Sequence, residues 1–139
     1  PAAGECGDDL SWKLDEEGTL TITGSGSMYD FVSGESPWYS NVMEINSVVI
    51  GPEVTGIGNY AFVGLRITDV EIPGSVEEIG EFAFNYCGKL ERVRIGNGTG
   101  KISYAAFANC AALESIEIPA TMTNISDSAF YNCTALKTV

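Results

Sequence analysis

Histidine is absent from the 139-residue sequence, which removes Ser/His/Asp and Cys/His nucleophilic centres from consideration. Positive charge is scarce as well: seven Lys and Arg stand against nineteen Asp and Glu, a net charge of -12. Such a surface repels nucleic-acid phosphates and anionic membranes and leaves basic proteins or divalent cations as candidate partners, although plain solubility accounts for the same charge. No apolar run approaches the ~18 residues needed to cross a bilayer, so no membrane insertion is expected. Neither a methionine nor an apolar leader precedes Pro1-Ala2-Ala3-Gly4, and the chain stops at Val139 in mid-pattern. The expectation is a piece of something longer, its targeting segment missing. The 45% hydrophobic content suffices for one compact core, which argues against disorder.

What the sequence does have is a period. The pair Ala-Phe occurs with its phenylalanines at Phe62, Phe84, Phe107 and Phe130, at spacings of 22, 23 and 23. Five positions before each stands Ile57, Ile79, Ile102 or Ile125. An alternating apolar pair recurs as Val48-x-Ile50, Val70-x-Ile72, Val93-x-Ile95 and Ile116-x-Ile118, and Val139 opens a fifth. Ile67, Leu90, Leu113 and Leu136 precede the pairs, and Val54, Val76, Thr99 and Met122 follow them. The one-residue deficit of the first unit falls between Phe62 and Ile67.

A unit of this length, with one short strand and one apolar ring, cannot bury its own hydrophobic face and must stack on a neighbour. Stacking sets equivalent residues about 4.8 Å apart, the spacing of adjacent strands. The predicted fold is therefore a repeat solenoid: a parallel β-sheet face of Val-x-Ile strands whose apolar side chains point inward. Pro73-Gly74-Ser75 and Gly96-Asn97-Gly98 supply turns after the strands. Ile79-Gly80-Glu81-Phe82-Ala83-Phe84 is too short for a long helix and predicts a turn, or a single helical turn, opposite the sheet, with the phenylalanines as a buried spine. Residues 1–45 lack these columns. There Leu10, Trp12 and Leu14 alternate with polar residues, Asp15-Glu16-Glu17-Gly18 turns, and Leu20 and Ile22 alternate again. This predicts an N-terminal β-hairpin cap over the open end of the stack, followed by about four repeats in 46–139, truncated at the C-terminus.

The repeats in Val70 to Pro73, Ile79 to Phe84 and Asn85 to Leu90 resemble the BspA-like leucine-rich repeats. Cys6-Gly7-Asp8, Trp12, Gly18-Thr19-Leu20-Thr21-Ile22 and Ser36-Pro37-Trp38-Tyr39 are similar to the cap that often precedes them. The resemblance implies a secreted or cell-surface bacterial protein with a noncatalytic role in adhesion or protein binding, its partner an extracellular or host surface protein. In the first unit Leu65 stands where the cysteine is expected and Val49 where a charged strand residue is, as suits a coil packed on the cap.

Cys87, Cys110 and Cys133 form one column of the repeat; a spacing of 23 is no zinc signature, and buried structural thiols are expected, with pairing of adjacent members left open. Gly24-Ser25-Gly26-Ser27 lacks the lysine of a phosphate loop, and Asp8-Asp9 and Asp15-Glu16-Glu17 lack calcium-loop spacing. No cofactor signature or carboxylate pair suited to catalysis stands out. The outward strand positions give the candidate binding face: Asp69, Arg92 and Ser115 in one column, Glu71, Arg94 and Glu117 in another. Cross-strand ion pairing explains the same arrangement. A rival candidate is carbohydrate stacking on the cap aromatics Trp12, Tyr29, Phe31, Trp38 and Tyr39, against their packing as cap core. A passive spacer displaying another domain is the third functional alternative.

Overall fold

The alternation of apolar and polar residues has the local outcome expected of it. In the computed structural model, which describes residues 2–137, the strands are β1 (Ala3–Gly7), β2 (Leu10–Leu14), β3 (Thr19–Gly24), β4 (Gly26–Ser27), β5 (Ser47–Ile50), β6 (Val54–Ile57), β7 (Asp69–Ile72), β8 (Glu78–Ile79), β9 (Arg92–Ile95), β10 (Lys101–Ile102), β11 (Ser115–Glu117) and β12 (Asn124–Ile125). The anticipated fifth apolar pair, beginning at Val139, lies outside the described residues.

The hairpin is β2 and β3, antiparallel with Trp12 opposite Ile22 and Leu14 opposite Leu20. Its turn is closed by Asp15, whose Oδ1 accepts the amides of Glu17 and Thr19 at 2.9 and 3.0 Å. Strand β1, which shows no clean alternation, adds to the outer edge of β2 with Gly4 opposite Trp12. The cap does more than cover the stack: β3 pairs in parallel with β5, Leu20 beside Val48 and Ile22 beside Ile50, so the solenoid sheet starts from the cap.

Beyond β5 the register columns run as expected, Val70 beside Val93 and Ile72 beside Ile95, then Val93 beside Ile116, in the parallel order β7-β9-β11. Two departures trace to proline. Gly51 and Gly96 donate their amides to Ile22 and Ile72 of the preceding coil at 2.9 and 2.8 Å. The residue placed to do this for Ile50 is Pro73, which has no N–H. In this first, shorter unit β7 lies beside β5 without pairing, and the sheet divides there. At Pro119 the effect is smaller: β11 still pairs with β9 but ends at Glu117, which leaves Ile118 off the ladder.

The segments opposite carry a feature that the sequence did not announce. Instead of only turns, the isoleucine column forms a second parallel sheet, β4-β6-β8-β10-β12, with Ile57, Ile79, Ile102 and Ile125 in register. The turns that follow hold Tyr60, Phe82, Ala105 and Ser128 at φ between 56° and 60°, and four residues later Gly64, Tyr86, Asn109 and Asn132 at φ between 60° and 74°. Each coil thus makes two left-handed corners. Among the described residues no α-helix occurs; one 3-10 turn spans Tyr39–Asn41 in the cap.

Between the two sheets runs the core. Phe62, Phe84 and Phe107 are fully buried and stack at centroid distances of 5.2 and 5.1 Å, with Phe130 following at 5.7 Å. Trp38 lies on Phe62 at 5.5 Å and takes the place of the missing ring of the cap. Its indole Nε1 donates to the Ala61 carbonyl at 2.8 Å, so the buried polar end is satisfied. The cysteine column runs alongside: Cys87, Cys110 and Cys133 donate their thiols to the carbonyls of Phe62, Phe84 and Phe107, one coil back, at 3.2, 3.1 and 3.0 Å. All four cysteines are free thiols. Thr99, in an otherwise apolar column, is tolerated because its hydroxyl donates to the Val76 carbonyl.

Candidate functional site on the strand face

Side chains alternate along a strand, so the residues between the buried Val and Ile positions must face solvent. On β7, β9 and β11 they stand in register: Asp69 beside Arg92 beside Ser115, and Glu71 beside Arg94 beside Glu117. The structure brings all six candidate residues onto one surface. A shallow cleft of about 240 Å³ lies among them.

The two columns differ in how their charges are spent. Arg94 bridges its column, with Nη1 3.4 Å from Glu71 Oε2 and Nε 3.4 Å from Glu117 Oε2. Its pKa is raised, first by the hydrogen bond to Glu117 and then by the charges of Glu117 and Glu71. These side chains are well exposed, and exposed pairs add little to stability. In the other column Arg92 pairs at 3.6 Å with Glu91, its chain neighbour, and not across the strands, while Asp69 accepts from Thr68 Oγ1 at 3.2 Å. Asp69, Arg92 and Ser115 therefore retain polar capacity towards solvent. Where the sheet divides, a second cleft of about 440 Å³ opens between β5 and β7, with Val49, half-exposed, on the β5 side and Pro73 and the Glu71–Arg94 pair on the other. An apolar spot beside an acid–base–acid stripe is a surface able to bind a polar partner; no group on it is poised for bond chemistry.

Of the cap aromatics, the two tryptophans pack as cap core and are withdrawn from any sugar-stacking groove. Trp12 and Trp38 are buried, their rings edge to face at 5.7 Å, and Phe31 packs edge-on against Trp38 at 6.0 Å. Alternation with Leu10 and Leu14 already placed Trp12 on the inward face. Of the remaining two, Tyr29 is exposed with its hydroxyl donating to Asp8 at 3.1 Å, and Tyr39 is exposed on the 3-10 turn. Gly26 and Ser27 are strand residues rather than an anion loop, Ser27 Oγ lying 3.0 Å from Thr55 Oγ1.

Among the described residues no group of three or more Cys, Asp or Glu side chains is arranged to hold a metal ion. Three of the four thiols are held away from ionisation. Burial pushes Cys6 up to about 11. For Cys110 the contact with Cys133 pulls downward, but the hydrogen bond with Cys87 and burial leave it raised; Cys133 is raised by its hydrogen bond with Cys110 and by burial. Thiols in this state are poor nucleophiles. No helix is long and apolar enough to cross a membrane.

Comparison with known proteins agrees with this geometry. The family model "BspA type Leucine rich repeat region" matches residues 35–139, in six copies. No curated protein sequence matches the chain. Among solved structures, a leucine-rich repeat protein from Eubacterium ventriosum superposes with a TM-score of 0.72 at 23% identity, covering 99% of this chain and 43% of that one. A leucine rich cell surface protein from Faecalibacterium prausnitzii gives 0.70 at 26% identity, covering 94% and 37%. A leucine-rich repeat protein from Bacteroides capillosus gives 0.59 at 30% identity, covering 99% and 97%. The chain thus spans roughly two fifths of the first two of these.

Proposed function

The chain belongs to the BspA-type leucine-rich repeat family, and from that membership we propose that it is a noncatalytic, cell-surface or secreted binding module whose ligand is an extracellular or host surface protein. The observation that carries the reading is the strand face: six polar side chains in register on a stack whose interior is fully packed, so that the ligand meets a preorganised surface. Support for an exposed location comes from the similar Faecalibacterium prausnitzii structure, described as a cell surface protein.

The test is a double charge reversal, Arg92→Glu with Arg94→Glu, measured by surface plasmon resonance against a panel of purified extracellular-matrix proteins. An adhesive face loses binding at least tenfold while the circular dichroism melt stays near the parent's. A passive spacer, the reading favoured by the self-satisfied Glu71–Arg94–Glu117 bridge, shows no binding that the reversal alters, and that result overturns the proposal.

A further inference from the structure

The second sheet carries a groove that the strand-face reading does not use. It has a volume of about 470 Å³ and runs from Ser27 of β4 across β6, β8 and β10 to Ser126, just after β12. Four inter-strand steps of ~4.8 Å make it about 19 Å long, room for roughly six residues of extended peptide at ~3.3 Å each.

One aromatic ring lines the groove, backed by two more that the fold does not require. Tyr104 lines the groove; Phe82 packs edge-on against it at 5.5 Å, and Tyr60 stacks on Phe82 at 4.9 Å. Tyr60 and Phe82 sit at φ 58°, a left-handed conformation in which a bulky residue is unfavourable. The same corner is made by Ala105 and Ser128 in the later coils. Rings in this position build a surface stack rather than the interior, because the buried spine is supplied by the phenylalanines two residues on.

Charge selects the occupant. Glu78 is already engaged by Lys101 at 3.7 Å and by Ser103 at 3.2 Å, and Asp30 accepts the Asn59 amide at 3.0 Å. Glu77 and Glu81 line the groove and, among the described residues, join no ion pair. Uncommitted carboxylates beside the Tyr104 ring suit a Lys or Arg side chain: the head meets a carboxylate, and the methylene stem lies along that ring. A chain of net charge -12 also draws basic partners towards it. We propose that this groove is a second docking site, independent of the strand face, for an extended basic peptide segment of a partner protein.

The probe is fluorescein-labelled hexalysine, followed by fluorescence anisotropy at low and at physiological salt. The parent chain is expected to bind it saturably and more weakly as salt rises, with hexaglutamate unbound. Glu77→Gln with Glu81→Gln should weaken binding at least tenfold, and Tyr104→Ala, which leaves the charge unchanged, several-fold. The control Glu16→Gln with Glu17→Gln removes the same charge from the hairpin turn and should stay within twofold, as should the strand-face reversal at Arg92 and Arg94. Absence of saturable binding overturns the proposal. So does equal weakening by the two Glu→Gln pairs, which shows diffuse attraction, full binding by Tyr104→Ala, or loss on the strand-face reversal.

Discussion

Replacing Phe107 with alanine puts the inward spine to the test. The ring is fully buried and stacked on both faces, on Phe84 with planes 3° apart and on Phe130 with planes 7° apart. A buried Phe→Ala change costs about 3–5 kcal/mol, the void adding to the lost transfer energy, and two aromatic contacts worth roughly 0.5–1.5 kcal/mol each disappear with it. The upper part of the range is therefore expected, a large fraction of the ~5–15 kcal/mol that holds a domain of this size together. Phe130 is the internal control: it is only partly buried, and among the described residues stacks on one ring, so Phe130→Ala should cost about 1–2 kcal/mol. Urea unfolding followed by far-ultraviolet circular dichroism reads the whole stack, whereas fluorescence reads the amino-terminal end, where both tryptophans sit. Because each coil leans only on its neighbours, Phe107→Ala should part the two signals, the dichroism midpoint falling below the fluorescence midpoint. If Phe107→Ala melts with the parent, or costs no more than Phe130→Ala, the reasoning fails.

Further outcomes follow from the same contacts. Gly98 sits at φ 127°, and a Cβ there would meet the Gly74 carbonyl oxygen of the coil before; Gly98→Ala should therefore cost more than about 2 kcal/mol in urea denaturation. Trp38→Phe keeps the stack on Phe62 but leaves the Ala61 carbonyl without its donor, for a loss of about 1–3 kcal/mol measured the same way. Stability should also fall in alkali: unfolded thiols ionise near 9, while Cys6 keeps its proton to about 11, so its contribution is complete below pH 9 and is lost as the pH climbs towards 11. Cys6→Ala should flatten the dependence of the urea midpoint on pH over that window, and an unchanged slope would count against a buried neutral thiol.

Legibility in the sequence tracked how much of a column each residue type could show. Val70, Val93 and Ile116, like Phe62, Phe84 and Phe107, recur as buried residues with no substitute of similar physics, so their inward direction was plain. The second sheet was hidden because β8, β10 and β12 are two residues long, too short to show any alternation. The break between β5 and β7 depends on what Pro73 lacks, an amide, and a pattern of apolar residues does not register it. Trp38 was readable only as one of the cap aromatics, because its distance from Phe62 does not match the later period; the stacking shows that it begins the spine. The charged strand columns were readable from register alone. The groove of the second sheet was not, since its residues are scattered over β4, β6, β8, β10 and the corners.

The direction of the backbone hydrogen bonds has a consequence for how such a molecule is made. On the strand side amides reach back, as from Gly96 to Ile72 and from Ser103 to Ile79, whereas at the corners they reach forward, from Tyr60 to Glu81 and from Phe82 to Tyr104. A nascent polypeptide leaving the ribosome amino end first can lay every new strand on finished neighbours behind it. Its corner donors must wait for residues not yet translated, so each turn is secured only when its successor arrives.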